Sequence, residues 1–505
     1  MEAFLELAGQ PLTLEQIARV AEGEMEVLLS PTVRERVESS RQVVENLLRE
    51  KKVAYGINTG FGKLADIHIP EGDIERLQVN LVRSHASGVG EPLSEAETRA
   101  LMLLRANALA TGRSGCRMTL VETLLKMLAE RIAPRIPSRG SVGASGDLAP
   151  LAHLARAMIG EGECLYGGRW VPSCDALRAG GIAPVRLAAK EGLALLNGTQ
   201  AMAGVGGLAL LRGERVTKLA DLAGAMTLEA LRDTPTAFDA RIHDARPHWG
   251  QQASAAHLRD LLQNSEIRLS HLQGDPRVQD AYSLRCMPQV HGAVRMALRH
   301  ARETVEIESG SATDNPLIFA ESAEILSGGN FHGAPLGLVY DYAAIALTDL
   351  MSIAERRIDR LVNPDLNEGL PPFLSAEPGV SSGYMMVQIC AAALLNEARV
   401  LAHPASSDNV PTDGGKEDHV SMGMTAALKL REIVQNAERV LAIELMTATE
   451  GLDYRRPLRS SARIEAAREA VRSIVPRVTE DRSLSGDIEG LAAAIRGGRF
   501  DEFMR

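Results

Sequence analysis

Apolar residues recur at the helical period over long stretches beyond about residue 187. This pattern predicts helices over roughly 187–232, 255–274, 287–308, 334–362, 385–402 and 421–450. In the last stretch, the apolar residues that fall on one helical face are Ala426, Leu430, Ile433, Ala437, Val440, Leu441 and Leu445. A helix of about 30 residues is about 45 Å long, which exceeds what a compact monomeric domain requires. We therefore expect an elongated bundle whose sides pack against other subunits, with a large monomeric bundle as the alternative.

The first 200 residues differ, because short helical stretches alternate there with glycine-rich segments. Capping-box patterns at Thr13 and Ser94 mark two helix starts. This change from short to long helical stretches predicts an N-terminal domain over residues 1–195 and a long-helix domain over residues 196–505. Glycine-rich segments between helices are candidates for function, since loops carry most functional residues. They lie at 55–63, 139–150, 327–335 and 407–423.

The composition favours a helical, soluble protein. Of the 505 residues, 45% are hydrophobic and 24% charged, which is typical of a globular chain. Only 3% are aromatic, so the core has to be built from Ala, Leu, Ile, Val and Met, and three of these are strong helix formers. The net charge is −10, without the basic excess that a nucleic-acid-binding surface needs. We expect no nucleic-acid partner.

The N-terminus and the cysteines indicate the compartment. The first residues lack a basic segment followed by an apolar one, so no signal peptide is predicted. No uninterrupted apolar run approaches the roughly 20 residues of a membrane span. The five cysteines are widely spaced and form no Cys-x-x-Cys pair, which argues against a disulfide framework or a zinc site. We expect a cytoplasmic protein without a membrane partner.

Three parts of the sequence resemble cofactor or metal motifs but lack the residues, context or spacing that those motifs require. Residues 55–64 resemble a phosphate loop, yet Leu64 stands where Ser or Thr would bind magnesium. Gly204, Gly206 and Ala209 fit a loose dinucleotide fingerprint, but the surrounding residues predict a helix, in which small residues let neighbours pack closely. His243 and His248 lack the spacing of a zincin helix. Nothing here predicts a nucleotide, a nicotinamide or a metal.

Residues 140–155 are a run of small residues that leads into a helix, with Pro150 near its first turn. From spacing alone, this is a helix-entry loop capped by Ser145 or Asp147. The tripeptide Ala144-Ser145-Gly146, however, resembles the signature of the ammonia-lyases that act on histidine, phenylalanine and tyrosine. Further landmarks of that family follow in order between about residues 50 and 490. They are Tyr55-Gly-Ile-Asn-Thr-Gly-Phe-Gly, Ser84-His-Ala-Ser-Gly-Val-Gly, Glu191-Gly-Leu-Ala-Leu-Leu-Asn-Gly-Thr-Gln, Gln279-Asp-Ala-Tyr-Ser-Leu-Arg-Cys-Met-Pro-Gln, Thr313-Asp-Asn-Pro-Leu, Asn330-Phe-His and Glu417-Asp-His-Val-Ser-Met-Gly.

The resemblance implies a mainly α, fumarase/aspartase-like fold and a homotetramer whose active sites each draw on three subunits. It also implies a built-in cofactor, 4-methylidene-imidazol-5-one, which forms when the Gly146 amide nitrogen attacks the Ala144 carbonyl and two waters are lost, one of them from Ser145. Glycine permits the close backbone approach that closes the ring. The resulting electron sink takes the place of a bound cofactor, because the substrate amine has to become a leaving group. No metal or diffusible cofactor is implied.

The same resemblance assigns roles to individual residues. Arg285 matches the arginine that binds the substrate carboxylate through a planar two-donor fork. Tyr55 matches the base that removes the β-proton, and because a phenol has a pKa near 10, it needs nearby positive charge or a helix dipole. Tyr282 matches a second pocket tyrosine that positions substrate or shuttles a proton. The remaining matches are Asn197 and Gln279, which orient the substrate or the ring carbonyl, and Phe331, which packs near the electrophile.

Two positions point to the substrate. His85 and Glu417 stand where the phenylalanine and tyrosine enzymes carry other residues, and both are suitable partners for an imidazole, which offers one donor and one acceptor. The expected reaction is therefore L-histidine to trans-urocanate and ammonia. A phenylalanine or tyrosine lyase or an aromatic 2,3-aminomutase remains the nearer alternative, and a non-catalytic relative the more distant one. The segment Thr412-Asp-Gly-Gly-Lys, which ends in Lys416, and Ala334 depart from the pattern usual in the histidine enzymes.

Overall fold

The computed structural model describes residues 4–275 and 277–504. Two compact units make up the chain. Unit 1 comprises Met1–Ala209, Ala301–Asp341 and Pro404–Leu428, and unit 2 comprises Leu210–His300, Tyr342–His403 and Lys429–Arg505. The sequence pattern suggests a single boundary near residue 195, whereas these units are discontinuous in sequence. Two later segments return to unit 1 because they pack with its first 209 residues.

Helices dominate the described residues, and the mainly α class is confirmed. They are α1 (Leu14–Glu22), α2 (Pro31–Arg49), α3 (Ile74–His85), α4 (Glu95–Ala110), α5 (Met118–Ala129), α6 (Leu148–Met158), α7 (Ser173–Ala179), α8 (Glu191–Leu196), α9 (Gln200–Ala230), α10 (Ala240–Asp244), α11 (Trp249–Leu261), α12 (Glu266–Leu269), α13 (Tyr282–Arg285), α14 (Met287–Ser309), α15 (Ala334–Val362), α16 (Met385–Leu401), α17 (Gly423–Tyr454), α18 (Ala462–Arg472) and α19 (Ser485–Arg496). Both predicted capping boxes, at Thr13 and Ser94, are present.

The long helices follow the apolar period closely at 287–309 and 334–362, but two predicted helices are interrupted. The helix predicted over 187–232 breaks between α8 and α9, where Asn197 is extended and Gly198 has φ +149°. The helix predicted over 255–274 ends at Leu261, shortly before Asn264 adopts φ +60°. In both places the backbone leaves the helical region, which periodicity alone does not reveal.

All described strands are short and belong to unit 1. Strands β1 (Phe4–Leu7) and β2 (Glu26–Leu29) pair in parallel, with Phe4 opposite Glu26. The other pairings are antiparallel. They join β3 (Val89–Pro92) to β5 (Pro137–Arg139), β4 (Ala133–Pro134) to β6 (Glu163–Tyr166), β6 to β7 (Arg169–Pro172), and β8 (Leu317–Phe319) to β9 (Glu324–Leu326).

The core of unit 1 forms around α4, whose residues from Glu97 to Ala110 are buried. The guanidinium of Arg99 donates to the carbonyl oxygens of Val20 and Ala21 at the end of α1 and of Leu128 at the end of α5, at 2.8–2.9 Å. A buried cation is thus satisfied by helix C-terminal carbonyls, which favour positive charge. This contact fixes three helices against one another.

Close packing explains the glycines at the start of α9. A Cβ at Gly204 would lie 3.1 Å from the backbone nitrogen of Leu101, and one at Gly206 would lie 2.1 Å from the ring of Tyr340. Both glycines are inside a helix and not in a strand-to-helix turn. The helix-packing interpretation of this apparent dinucleotide motif is confirmed.

Unit 2 buries a polar cluster around Asp221. Its carboxylate accepts hydrogen bonds from Ser254 Oγ at 2.6 Å, His291 Nδ1 at 2.7 Å and Arg295 Nη2 at 2.5 Å. A buried carboxylate is stable only when it is paired and hydrogen-bonded in this way.

Helix α15 is long and apolar enough to cross a membrane by length and composition. Its most apolar 18-residue window is 67% buried inside the protein, and the core helix of a soluble protein meets the same criterion.

Candidate active site

The loop before α6 depends on glycine at position 146. Gly146 has φ +73°, and a Cβ there would lie 2.2 Å from the carbonyl oxygen of Gly198 and 2.4 Å from its carbonyl carbon. Because these neighbours are backbone atoms, they cannot move away as the end of a flexible side chain could. The amide of Asp147 donates to the same Gly198 oxygen at 2.7 Å. Two loops distant in sequence are therefore locked together at a point that only glycine fits.

Asp147 occupies the N-cap position of α6, but its side chain makes no capping hydrogen bond. Instead the buried carboxylate accepts from Ser141 Oγ at 2.9 Å and from the amide of Met202 at 2.8 Å. Burial raises the pKa of Asp147 to about 6, against the effect of these hydrogen bonds. Neither Asp147 nor Ser145 caps the helix by its side chain, so the interpretation of this loop as a helix entry capped by one of them is wrong.

Ser145 is held from two sides. Its carbonyl oxygen accepts from Asn197 Nδ2 at 2.8 Å, and its hydroxyl donates to Glu417 Oε1 at 2.5 Å. The other carboxylate oxygen of Glu417 accepts from Thr412 Oγ1 at 2.6 Å. Asn197 is positioned by its place directly after α8 and Glu417 by a bridge between its backbone and that of Thr412.

Ser145, Asn197 and Glu417 face a cavity of about 530 Å³ whose lining belongs entirely to unit 1. Its wall includes apolar side chains such as Leu148 and Leu193. The predicted site residues found there are Tyr55, His85, Ser145, Asn197, Phe331 and Glu417. A largely apolar cavity with a few convergent polar groups is typical of a small-molecule site.

His85 is the last residue of α3, and its hydrogen bonds determine which ring nitrogen carries the proton. Nδ1 lies 2.9 Å from the carbonyl oxygen of Leu81, which can only accept, so Nδ1 carries the proton and Nε2 is an acceptor. Ser84 Oγ lies 3.0 Å from the same nitrogen. Burial lowers the pKa of His85, which favours the neutral ring. The site thus presents a neutral imidazole with an acceptor nitrogen.

The environment of Tyr55 opposes the activation that a base requires. Its hydroxyl oxygen accepts from the amide of Gly62 at 3.4 Å, which favours the phenolate. Burial nevertheless raises the pKa of Tyr55, and the negative charges of Asp413, Glu417 and Asp314 raise it further. Among the described residues that line the cavity there is no Lys or Arg. Among the described residues, the lining of this cavity therefore does not supply the positive charge that would activate Tyr55.

Gln279, Tyr282 and Arg285 belong to unit 2 and are not among the residues that line this cavity. Tyr282 is 70% exposed. The guanidinium carbon of Arg285 lies 4.4 Å from the centre of the Tyr282 ring, a cation–π contact. The Nε of Arg285 is buried and has no hydrogen-bond partner among the described residues.

The cavity also contains polar residues that the sequence analysis did not assign, namely Asn80, Asn315 and Asp413. Asn80 could have been found from helical spacing, because it lies four residues before Ser84 on the same face of α3. Asp413 stands in the segment that departs from the usual family pattern. The carboxylate of Glu417 is held by Ser145 and Thr412, and Lys416 is not among the cavity residues.

Residues 4–275 and 277–504 contain no group of three or more His, Cys, Asp or Glu side chains that could hold a metal ion.

The chain matches the family described as aromatic amino acid lyase over residues 12–473, and it belongs to that family. It is a carbon–nitrogen lyase, as predicted. It is similar to a histidine ammonia-lyase from Koribacter versatilis, with 51% identity over 98% of each chain.

Solved structures agree with the predicted long-helix lyase fold, which is confirmed. A histidine ammonia-lyase from Trypanosoma cruzi is 40% identical, with a TM-score of 0.92 over 99% of this chain and 95% of the other. A tyrosine aminomutase from Streptomyces globisporus is 39% identical, with a TM-score of 0.94 over 99% and 98%.

Proposed function

We propose that the chain eliminates ammonia from L-histidine to give trans-urocanate. The observation that carries this proposal is the hydrogen bond from Ser145 to Glu417 in a cavity that also contains Tyr55 and a neutral His85. Ser145 of the tripeptide, Tyr55, His85 and Glu417 thus line one cavity. The histidine ammonia-lyases that this chain resembles support the same substrate.

The residues present fit a self-formed methylidene-imidazolone at Ala144-Ser145-Gly146. Gly146 has a φ that favours glycine and no side chain to hinder a close backbone approach, and Ala144 is buried nearby. Asn197 is placed to hold the carbonyl of Ser145. Once formed, the group supplies an electrophile that makes the amine a better leaving group.

His85 and Glu417 would orient the substrate ring. Nε2 of His85 would accept a hydrogen bond from one imidazole N–H of the substrate, and the carboxylate of Glu417 would offer a second polar contact. A phenyl ring would leave these groups desolvated and unpaired, at a cost of about 1–3 kcal/mol each. This difference favours histidine over phenylalanine.

Tyr55 would remove the β-proton and Arg285 would bind the carboxylate. An amino acid brings a carboxylate into a cavity whose lining, among the described residues, contains acidic side chains and no Lys or Arg. A cation therefore has to reach the site from elsewhere, and it would also make the phenolate of Tyr55 more accessible. We propose that Arg285, with Tyr282 and Gln279, is donated by a neighbouring subunit of a cytoplasmic homotetramer, while Phe331 packs near the electrophile.

An aromatic aminomutase is the second candidate, supported by the 39% identity to tyrosine aminomutase. Such an enzyme returns the ammonia to the acrylate, so its product is a β-amino acid.

Product analysis separates these functions. Purified protein is mixed separately with L-histidine, L-phenylalanine and L-tyrosine, and near-ultraviolet absorbance reports the conjugated acrylate that each substrate lacks. Urocanate from histidine is the expected result. Cinnamate or coumarate as the main product would contradict the substrate assignment, and β-amino acids found by chromatography would establish the aminomutase.

A further inference from the structure

We propose that Asp413 is a positioning residue that ties the turn bearing Glu417 to the loop bearing Tyr55. The inference rests on the proposed function, since it concerns the placement of two groups of that reaction. No role is assigned to Asp413 by the family resemblance, because this residue lies where the sequence departs from the usual pattern.

The first half of the tie is a contact with the loop of Tyr55. The carboxylate of Asp413 accepts from the amide of Lys63, with distances of 3.1 Å to Oδ2 and 3.3 Å to Oδ1. The preceding residue, Gly62, donates its amide to the hydroxyl of Tyr55 at 3.4 Å. A Cβ at Gly62 would lie 1.9 Å from Oδ2 of Asp413, so the missing side chain is what admits the carboxylate. Asp413 thus holds the turn that contains Gly62 and Lys63, and this turn holds the Tyr55 hydroxyl through the Gly62 amide.

The second half is the short turn from Thr412 to Glu417. The amide of Thr412 donates to the carbonyl of Glu417 at 2.8 Å, and the amide of Lys416 donates to the carbonyl of Asp413 at 3.2 Å. The Thr412 hydroxyl also holds the Glu417 carboxylate at 2.6 Å. Because this turn is closed on itself, a shift of Asp413 is passed to Glu417.

The backbone at Asp413 is itself unusual. Its φ is +47°, a region that costs most residues free energy and that Asp and Asn tolerate better than others. Such conformations persist where surrounding contacts enforce them, and they concentrate at functional sites. The contact with Lys63 is such an enforcing contact.

The charge of Asp413 gives the role a signature that a purely structural residue would lack. The charged and titratable groups around the Tyr55 hydroxyl are Asp413, Glu417 and Asp314, together with His85 in the same cavity. Asp314 is ion-paired with the buried Lys190, at 2.7 Å. The three carboxylates favour the protonated phenol. Neutralising Asp413 should therefore make proton loss from Tyr55 easier.

Two variants separate geometry from charge. Asp413→Asn keeps one oxygen acceptor for Lys63 and tolerates the backbone conformation, but it removes the charge. Asp413→Gly adopts φ +47° without strain and removes the carboxylate altogether. Asp66→Asn, at an exposed position on the loop of Tyr55, is the control for charge.

The experiment combines amide hydrogen exchange at Lys63 with kcat, KM and pH profiles. In Asp413→Gly we expect exchange at Lys63 to be about fivefold to tenfold faster, as loss of one hydrogen bond predicts. We also expect kcat to fall by about tenfold or more with a smaller change in KM, because misplaced acid–base groups slow the reaction. In Asp413→Asn the acid limb of kcat/KM moves to lower pH, while Asp66→Asn matches the wild type.

Unchanged exchange at Lys63 in Asp413→Gly would overturn the proposal, as would wild-type kcat and pH profiles in both Asp413 variants. If the wild type releases no product from L-histidine, the proposed function fails instead. The exchange comparison still decides whether Asp413 holds the loop.

Discussion

The hydroxyl of Ser145 donates to Oε1 of Glu417 at 2.5 Å, across 272 residues of sequence. One carboxylate oxygen of Glu417 is thus occupied by the hydroxyl that ring closure would expel. In the proposed ring closure, loss of that hydroxyl would free this oxygen for the substrate ring, while Thr412 holds the other. Formation of the electrophile and opening of the substrate site would then be one event.

Replacing Glu417 by Gln should weaken the contact with the substrate ring while preserving its shape. Loss of a hydrogen bond to a charged group is worth about 1.5–3 kcal/mol, or roughly tenfold to a hundredfold. We expect kcat/KM for L-histidine to fall by that factor, as measured by urocanate absorbance. The control Glu71→Gln changes an exposed carboxylate of the same unit and should leave the rate unchanged. A Glu417→Gln enzyme with the wild-type kcat/KM would show that the carboxylate does not bind the ring.

His85→Leu should alter the preference between substrates. Leucine cannot accept a hydrogen bond from the imidazole N–H, so kcat/KM for L-histidine is expected to fall by about tenfold to a hundredfold. Activity on L-phenylalanine should fall less or rise, because a phenyl ring leaves no polar group unpaired beside leucine. The ratio of the two kcat/KM values is the measurement, with His68→Leu at an exposed loop position as the control. An unchanged ratio would rule out His85 as the determinant.

The raised pKa of Tyr55 predicts a rate that increases with pH. As a base, Tyr55 acts only when deprotonated, and burial with nearby carboxylates raises its pKa above the ordinary value of 10. The cation that we propose a neighbouring subunit supplies would offset this in part, so kcat/KM should still be rising above neutral pH. Tyr55→Phe should lower the rate by about 10²- to 10⁴-fold, the usual worth of a general base. A profile that is flat across neutral and alkaline pH would contradict the assignment.

Hybrid oligomers test whether the site is shared between subunits. Tyr55→Phe and Arg285→Ala chains, each expected to be strongly impaired alone, are co-expressed with two different tags and purified as mixed assemblies. If Tyr55 and Arg285 of one site come from different chains, about a quarter of the sites in a random mixture are intact. Recovery of activity near that level is expected. If both residues came from one chain, every site would carry a lesion and no activity would return.

The fold was predictable where the apolar period is strong and local. The helix over 334–362 agrees with its apolar pattern at both ends. The break between α8 and α9 was not predictable, because it arises from the bridge between Gly198 and Gly146, which lie 52 residues apart. Local periodicity carries no information about such a contact.

The site was predictable as far as its residues match family motifs. Tyr55, His85, Ser145, Asn197, Phe331 and Glu417 were all expected, and one cavity contains them. Asp413 was not expected, since its place in the site depends on a contact with Lys63, 350 residues away. The charge balance around Tyr55 likewise became visible only once distant carboxylates were placed beside it.

The most direct test of the account is the intact mass of the purified wild-type chain. A self-formed electrophile requires the mass to lie below that of the encoded sequence by two water molecules. Gly146→Ala should keep both waters, because its Cβ would collide with the backbone of Gly198, whereas Gly72→Ala, where nothing lies within 4 Å, should lose both. A wild-type chain at its full encoded mass would contradict the claim that Ala144, Ser145 and Gly146 form the electrophile.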